Sequence, residues 1–278
     1  MDSGLYVVAT PIGNLADLSL RAIEVLKAVD LIAAEDTRHS QRLLQHYGVD
    51  TTVMAYHDHS DERALVKITE CLANGGSVAL VSDAGTPLIS DPGYRLVRYV
   101  QDAGFTVRPV PGACAAIAAL SVSGLATDRF LFEGFLPASA GTRANRLAEL
   151  SSATATLIFY EAPHRVLESL RAMADTLGGE REAVLAREVT KTFETIKRGN
   201  LAALVEFVQG DSNQQKGEIV LVVAGSRATV QEISAEVSTL LQRLALELPA
   251  KRAAAVVADC TGLRKKLLYE HLVALKDA

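Results

Sequence analysis

Two short loops hold the residues best suited to close work on a ligand. Asp83-Ala84-Gly85-Thr86-Pro87 and Pro111-Gly112-Ala113-Cys114-Ala115-Ala116 consist almost wholly of small side chains. Such residues let a ligand approach the backbone. Each loop also leads towards a helix whose first N–H groups lack partners and suit a carboxylate or phosphate. One such loop is ordinary punctuation in an α/β chain. Two in adjacent units point to a crevice at the carboxyl ends of neighbouring parallel strands. Neither G-x-G-x-x-G nor G-x-x-x-x-G-K-S/T occurs, so the common nucleotide fingerprints are missing. Glu35-Asp36-Thr37-Arg38-His39 is expected at the same sheet edge. A charged cluster there serves a site, an N-cap at Asp36 or Thr37, or both, and Arg38 has the fork that grips a phosphate. His57-Asp58-His59 sets two histidines on one strand face, but no third ligand follows at a suitable spacing, and no metal centre is expected. Cys114 has no histidine partner in the pattern and does not read as a nucleophile.

The elements that carry these loops alternate in type. Residues 5–9, 31–34, 52–56, 78–81 and 106–110 read as strands, and 18–28, 38–47, 61–73 and 93–103 as helices. The first helix is expected to turn Leu20, Ile23, Leu26 and Val29 inward. Repeated βα units imply a mostly parallel sheet flanked by helices. Beyond residue 125 the pattern changes: 130–135, 156–160, 183–187, 193–198 and 219–224 read as strands, and the short gap before 193 predicts an antiparallel hairpin in a mixed sheet. The fold class is therefore α/β, with a parallel-rich sheet, a mixed second sheet and a C-terminal helical segment. Expected domains are 1–124, 125–225 and 226–278. In the last, helices meet through Thr261-Gly262, which fits a helix-turn-helix or a plain packed hairpin.

Composition narrows the class. The chain has 278 residues, 49% of them hydrophobic, enough for substantial cores. Three cysteines without metal spacing, no secretion signal and no long apolar span predict a cytoplasmic protein with neither membrane segment nor structural metal. Net charge is −5, yet residues 249–278 carry six basic and three acidic residues, so the tail is +3 and the remainder −8. A local basic patch is all that phosphate contact requires.

With Leu5-Tyr6-Val7-Val8-Ala9-Thr10-Pro11-Ile12-Gly13-Asn14-Leu15 upstream, these loops resemble the tetrapyrrole methylase superfamily of S-adenosylmethionine-dependent methyltransferases. ATPIGNLADLSLRA, AAEDTRHS, VSDAGTPLISDPG, PVPGACAAIAAL, FYEAPHR and REVTKTFE are most similar to its ribosomal RNA branch, over about residues 4–225. The resemblance implies a cofactor, S-adenosylmethionine, folded in a cleft between two α/β domains. Ile12, Gly85, Thr86, Ile89, Gly112, Cys114 and Ala115 would line it, with Glu161, Thr192, Glu218 and Ile219 closing around the adenosine. It also implies a homodimer, and as substrate the 2′-hydroxyl of a cytidine in the decoding region of small-subunit ribosomal RNA. Porphyrinoid relatives typically show Gly-Pro-Gly-Asp where Pro11-Ile12-Gly13-Asn14 stands, and Asp-Pro where Thr86-Pro87 stands. Two acids fewer predict a more basic cleft, suited to RNA. A tetrapyrrole C-methyltransferase is the same-fold alternative, and a ligand-sensing helix-turn-helix regulator the alternative of another class.

A ribose hydroxyl is a poor nucleophile and wants a general base, or a cation for the developing alkoxide. Asp36, Glu188, Lys191 and His39 are available by type. Asp36, Arg38 and Lys191 are the catalytic candidates, and the sequence does not choose among their roles.

Overall fold

The computed structural model describes residues 1–57, 62–226, 233–263 and 265–276. Five aliphatic runs form an all-parallel sheet: β1 (Gly4–Val8), β2 (Leu31–Ala34), β3 (Val53–Ala55), β4 (Ser77–Val81) and β5 (Val107–Val110), in the order β3-β2-β4-β1-β5. Both faces are covered, which is why the central strands read as continuous apolar runs. Alternate residues serve opposite layers. Val8, Ile32, Ala34, Ala79 and Val81 meet α1 (Leu20–Ala28) and α2 (Thr37–His46). Leu5, Leu31, Ala33, Val78 and Leu80 meet α3 (Glu62–Ala73) and α4 (Tyr94–Asp102).

Two expectations change here. The strands that deliver the small-residue loops are not neighbours, because β1 lies between β4 and β5 and pairs with both. The α4 crossover skips a strand, and a skip leaves no mark in strand periodicity. Its effect is to set a third loop, the one after β1, between the other two. The inner face of α1 is Ala22, Val25 and Leu26, whereas Leu20 is 80% exposed. The Ser19 hydroxyl accepts from the Ala22 N–H at 3.1 Å, starting the helix two residues later than expected and turning Leu20 outward.

The chain then crosses to a second sheet through residues 111–114. Helix α5 (Ala115–Ser123) packs on that second sheet, burying Ala116, Ala119 and Leu120 against Ile158, Val184, Val220 and Val222. The sheet comprises β6 (Phe130–Phe135), β7 (Thr156–Glu161), β8 (Glu182–Arg187), β9 (Thr195–Asn200) and β10 (Ile219–Val223), in the order β6-β7-β10-β8-β9. Only β6 and β7 run parallel. The β8–β9 pair is the expected antiparallel hairpin. Helices α6 (Ala140–Leu150), α7 (Val166–Leu177) and α8 (Leu201–Gly210) cover the other face, over a core that includes Leu157, Phe159, Leu185 and Leu221. A register shift between Phe132 and Gly134 interrupts the β6–β7 ladder just before Phe135, and such a bulge re-aims the side chains that follow it.

Residues 1–225 form one compact unit and 226–278 another. In the second, α9 (Ala235–Glu247), α10 (Ala250–Thr261) and α11 (Lys265–Lys276) bury Leu241, Ala253, Ala254, Val257, Leu268 and Leu272 in a core of their own. Lys251, Arg252, Lys265 and Lys266 are exposed on it. No described helix is long and apolar enough to cross a membrane.

Candidate active site

The loops after β1 and β4 are sewn together at the carboxyl edge of the parallel sheet. Thr10 N–H donates to the Gly85 carbonyl at 2.8 Å, and Gly85 N–H returns the bond to Thr10 at 3.2 Å. Thr86 Oγ1 donates to the Ala113 carbonyl at 2.9 Å, tying in the loop after β5. Gly85 has φ +91°, and a Cβ there would lie 3.2 Å from Ile12 Cγ2, so the turn calls for glycine. Among the described residues the only non-glycines with positive φ are Leu88, Ser90, Glu188 and Thr190. The first two follow the β4 loop, and the others sit in the β8–β9 turn. Each such residue costs of order 1–3 kcal/mol and persists where surrounding structure imposes it, most often at functional sites.

Between these loops and the second sheet lies a cavity of about 470 Å³. Ile12, Ile89, Phe135, Val189, Ile219 and Val220 give it an apolar lining. Its charged residues are Glu35, Asp83, Asp91, Glu161 and Glu218, with no lysine, arginine or histidine among the lining residues. Burial, reinforced by repulsion from Asp83 and Glu218, holds the Asp91 carboxyl above the usual range despite a hydrogen bond from Ser82. Glu161 is 2% exposed; its Oε1 accepts from Arg165 Nε at 2.6 Å and from the Ala162 N–H at 2.7 Å. Its buried Oε2 has no partner, a deficiency worth about 1–3 kcal/mol that a ligand donor would remove. The Tyr160 hydroxyl accepts from the Ala116 N–H at 3.2 Å, and burial raises its pKa.

A second cavity of about 370 Å³ adjoins the first and shares Ile12, Asp83, Ala84 and Glu218 with it. Here basic groups enter: His39 and Arg42 of α2 and Lys191 of the β8–β9 turn line it, facing the carboxylates of Asp83 and Glu218. The Tyr47 hydroxyl donates to the Leu15 carbonyl, fastening α2 to the loop after β1. Lys191 runs over Gly13, where a Cβ would lie 2.3 Å from the lysine Cγ. Its Nζ donates to Glu188 Oε1 and Glu218 Oε2, each at 3.0 Å. Burial alone would lower the Lys191 pKa, but these two carboxylates outweigh it and raise the pKa. Lys191 is thus an ammonium at neutral pH and not a base.

Of the residues singled out from sequence, Ile12, Gly85, Thr86 and Ile89 line the larger cavity, as do Ala115, Glu161, Glu218 and Ile219. Gly112, Cys114 and Thr192 do not; Cys114 is the N-cap residue of α5 beside Ala115, and Thr192 is exposed. Asp36 and Arg38 line neither cavity. Asp36 caps α2, accepting from the Arg38 N–H at 2.8 Å, and pairs at 3.3 Å with an Arg38 side chain that is 90% exposed. Of His57-Asp58-His59, the last two lie outside the described residues. No cluster of three metal-ligating side chains occurs among the described residues. The expected basic cleft is a correction: the larger cavity is acidic, and the basic groups belong to its neighbour. Loop composition alone missed Asp91, although it stands in the distinctive Ser90-Asp91-Pro92-Gly93 turn, and Phe135 and Tyr160, which left no comparable signal.

The model of the Tetrapyrrole (Corrin/Porphyrin) Methylases matches residues 4–205, and that of the RsmI C-terminal HTH domain matches residues 231–276. Ribosomal RNA small subunit methyltransferase I of Pseudomonas aeruginosa is 58% identical over 96% of this chain and 95% of its own. The protein of the same name in Vibrio cholerae is 53% identical over 96% and 93%. Uroporphyrin-III-C-methyltransferase from Thermus thermophilus superposes with a TM-score of 0.56 at 19% identity, covering 79% of this chain and 93% of that one, which shows a shared fold.

Proposed function

We infer that this chain, which belongs to the tetrapyrrole (corrin/porphyrin) methylases, transfers a methyl group from S-adenosylmethionine to small-subunit ribosomal RNA, at the 2′-oxygen of a cytidine in the decoding region. The observation that carries this is the pair of adjoining cavities, one whose charged lining is carboxylates alone and one that also bears His39, Arg42 and Lys191, which suits a cationic donor beside a polyanionic acceptor. Relatives more than 50% identical over nearly the whole chain are named as small-subunit ribosomal RNA methyltransferases. Their match, with the methylase domain, displaces the regulator reading.

The larger cavity fits the cofactor. Its volume lies in the range of small-molecule sites. Its five carboxylates complement a sulfonium and an ammonium, its apolar lining suits an adenine, and the orphaned Glu161 Oε2 awaits a donor. The bound cofactor supplies an activated methyl group and its own leaving group. Ile12, Gly85, Thr86, Ile89 and Ala115 would hold it from the first sheet and α5. Glu161, Glu218 and Ile219 would hold it from the second sheet. The protein's task is then in-line positioning and care of the acceptor proton. Lys191 serves as the cation for the developing alkoxide. Asp36 holds Arg38 as an outer phosphate contact, between Glu35 and His39, which line the two cavities.

The reading includes a cytoplasmic homodimer. Exposed apolar side chains on α5 and the edge strand β6 support the dimer: Ile117, Val122, Phe130 and Leu131. The free cysteines Cys71, Cys114 and Cys260 agree with a reducing compartment. The deciding experiment incubates the protein with methyl-labelled S-adenosylmethionine and small ribosomal subunits. Label should appear in an alkali-resistant dinucleotide, because a 2′-O-methyl group blocks cleavage of the next phosphodiester. Label on a base, or on a tetrapyrrole and never on RNA, would defeat the reading.

A further inference from the structure

We propose that the second cavity is the chamber for the acceptor nucleotide, with Ser40 and Arg42 as recognition groups and Asp83 as proton acceptor. This rests on the reading above, that RNA is the substrate. Ser40 is the least expected member of the lining. It is 4% exposed, it faces the cavity from α2, and its hydroxyl has no hydrogen-bond partner. A helical serine ordinarily satisfies itself on the carbonyl one turn back. A buried hydroxyl left open at the wall of a cavity is a group held for a ligand. Two residues further along α2, Arg42 is exposed to solvent and makes no ion pair or hydrogen bond among the described residues. With His39 it gives α2 a basic edge aimed at the same space.

The shared wall explains how the two cavities work together. Ile12, Asp83, Ala84 and Glu218 border both, so a ribose oxygen in the smaller would face a methyl donor held in the larger across that boundary. The oxygen bonds to the methyl carbon. The carbon–sulfur bond breaks with its electron pair remaining on sulfur. The hydroxyl proton passes to Asp83, which later releases it to water. Asp83 is held for this by the Asp36 backbone N–H, which donates to its Oδ1 at 3.1 Å. Lys191, anchored 3.0 Å from Glu218 Oε2 on the same wall, stabilises the oxygen as negative charge develops. Arg42 and His39 take the flanking phosphate, and the Ser40 hydroxyl bonds to the sugar or base. The weight of recognition therefore falls on α2, which the sequence marked only by its first residues.

The test compares the full-length wild type with Ser40→Ala, Ser40→Leu and Arg42→Ala. The probe is small ribosomal subunits from cells lacking this protein. Calorimetry measures cofactor affinity, filter retention without methyl donor measures subunit binding against salt, and labelled cofactor measures turnover. Ser40→Ala should raise the half-saturating subunit concentration about 5–10-fold, the loss expected for one hydrogen bond, with cofactor affinity unchanged. Ser40→Leu fills the chamber and should lower turnover about 100-fold or more. Arg42→Ala should weaken subunit binding about tenfold and reduce the slope of log affinity against log salt by about one. Should Ser40→Leu misfold by circular dichroism, the two milder variants still decide. Wild-type binding and turnover in both would overturn the chamber while leaving the RNA reading intact. A loss of cofactor affinity in Ser40→Ala would also overturn it, by assigning the cavity to the cofactor. A wild type that methylates no RNA defeats the RNA reading itself, and the chamber with it.

Discussion

The two adjoining cavities share four lining residues yet are constructed differently. The larger is defined by backbone: three loops, two of them of small residues, cross-linked by Thr10–Gly85 and Thr86–Ala113 hydrogen bonds, with strained residues at Leu88, Ser90, Glu188 and Thr190 close by. Its charges are carboxylates, of which Glu161 is buried and Glu35, Asp83 and Asp91 half-buried. The smaller is furnished by long side chains, Arg42 and Lys191, on a helix and a turn. The contrast matches two tasks. A methyl donor must be held within a fraction of an ångström of the attack line, which rigid backbone can do. An RNA strand brings its own charge and shape, and long cationic side chains accommodate it.

The largest expected effects break the contrast at its rigid side. Ala115→Leu puts a branched side chain into the larger cavity at the start of α5. Cofactor affinity by calorimetry should fall about 100-fold or more, since overpacking a site costs about 1–3 kcal/mol even before contacts are lost. Circular dichroism should remain that of the wild type. Unchanged affinity would place the cofactor elsewhere. Lys191→Met keeps the stem over Gly13 and removes the charge that Glu188 and Glu218 share. RNA turnover should fall about 100-fold at saturating substrate, the lower end of the range for one electrostatic group at a reacting oxygen. Cofactor affinity should hold. If affinity falls instead, the lysine belongs to the donor side and the contrast dissolves.

Asp91 sharpens the comparison through stability. Its carboxyl pKa is raised by burial and by its neighbours Asp83 and Glu218, so ionisation disfavours the fold. A raised folded-state pKa means that this contribution is most favourable below the unfolded carboxylate pKa and is lost as pH rises through the folded value. Asp91→Asn should therefore raise the melting temperature of the ligand-free protein at neutral pH, by a few degrees. The gain should shrink as the medium is acidified and the wild-type carboxyl protonates. The same substitution should weaken cofactor binding. A destabilised variant, or one with a gain independent of pH, would show that Asp91 is not a repelled carboxylate.

Much of the scaffold was legible because it rests on local signals. The strands of both sheets, the β8–β9 hairpin and the Gly262 stop before α11 follow from apolar runs, spacing and turn residues. What stayed hidden depended on long-range pairing. No periodicity shows that β1 separates β4 from β5, or that α5, which follows the parallel strands in sequence, packs on the other sheet. That second fact makes Pro111-Gly112-Ala113-Cys114 the crossing between the two sheets as well as a site loop. The larger cavity's backbone contacts were accessible from composition, since small residues in a βα loop have few other uses. Asp91, Tyr160 and Ser40 were not, because a carboxylate, a phenol and a serine occur everywhere, and their significance arises only from burial and from missing partners.

The smallest expected effect concerns a third charged region, on the C-terminal unit, and asks how far the acid–base contrast accounts for RNA binding. Lys251 and Arg252 in the first turn of α10, with Lys265 and Lys266 opening α11, are exposed. Among the described residues only Lys266 of these has a carboxylate partner, Glu270, and at 3.8 Å between two well-exposed groups that pair is weak. If these side chains reach phosphates, Lys251→Gln with Lys265→Gln should lower the salt slope of RNA binding by about two and affinity by about tenfold. Cofactor affinity and turnover at saturating RNA should match the wild type, since the effect is uniform binding and not chemistry. The core of the unit, Leu241, Ala253, Val257 and Leu268, is untouched by either change, so its folding should persist. An unchanged salt slope would assign RNA grip to the α2 and Lys191 side alone and leave the three C-terminal helices a packing role. A fall in turnover at saturating RNA would mean that the C-terminal unit helps to place the acceptor itself, and the two-cavity division of labour would need a third member.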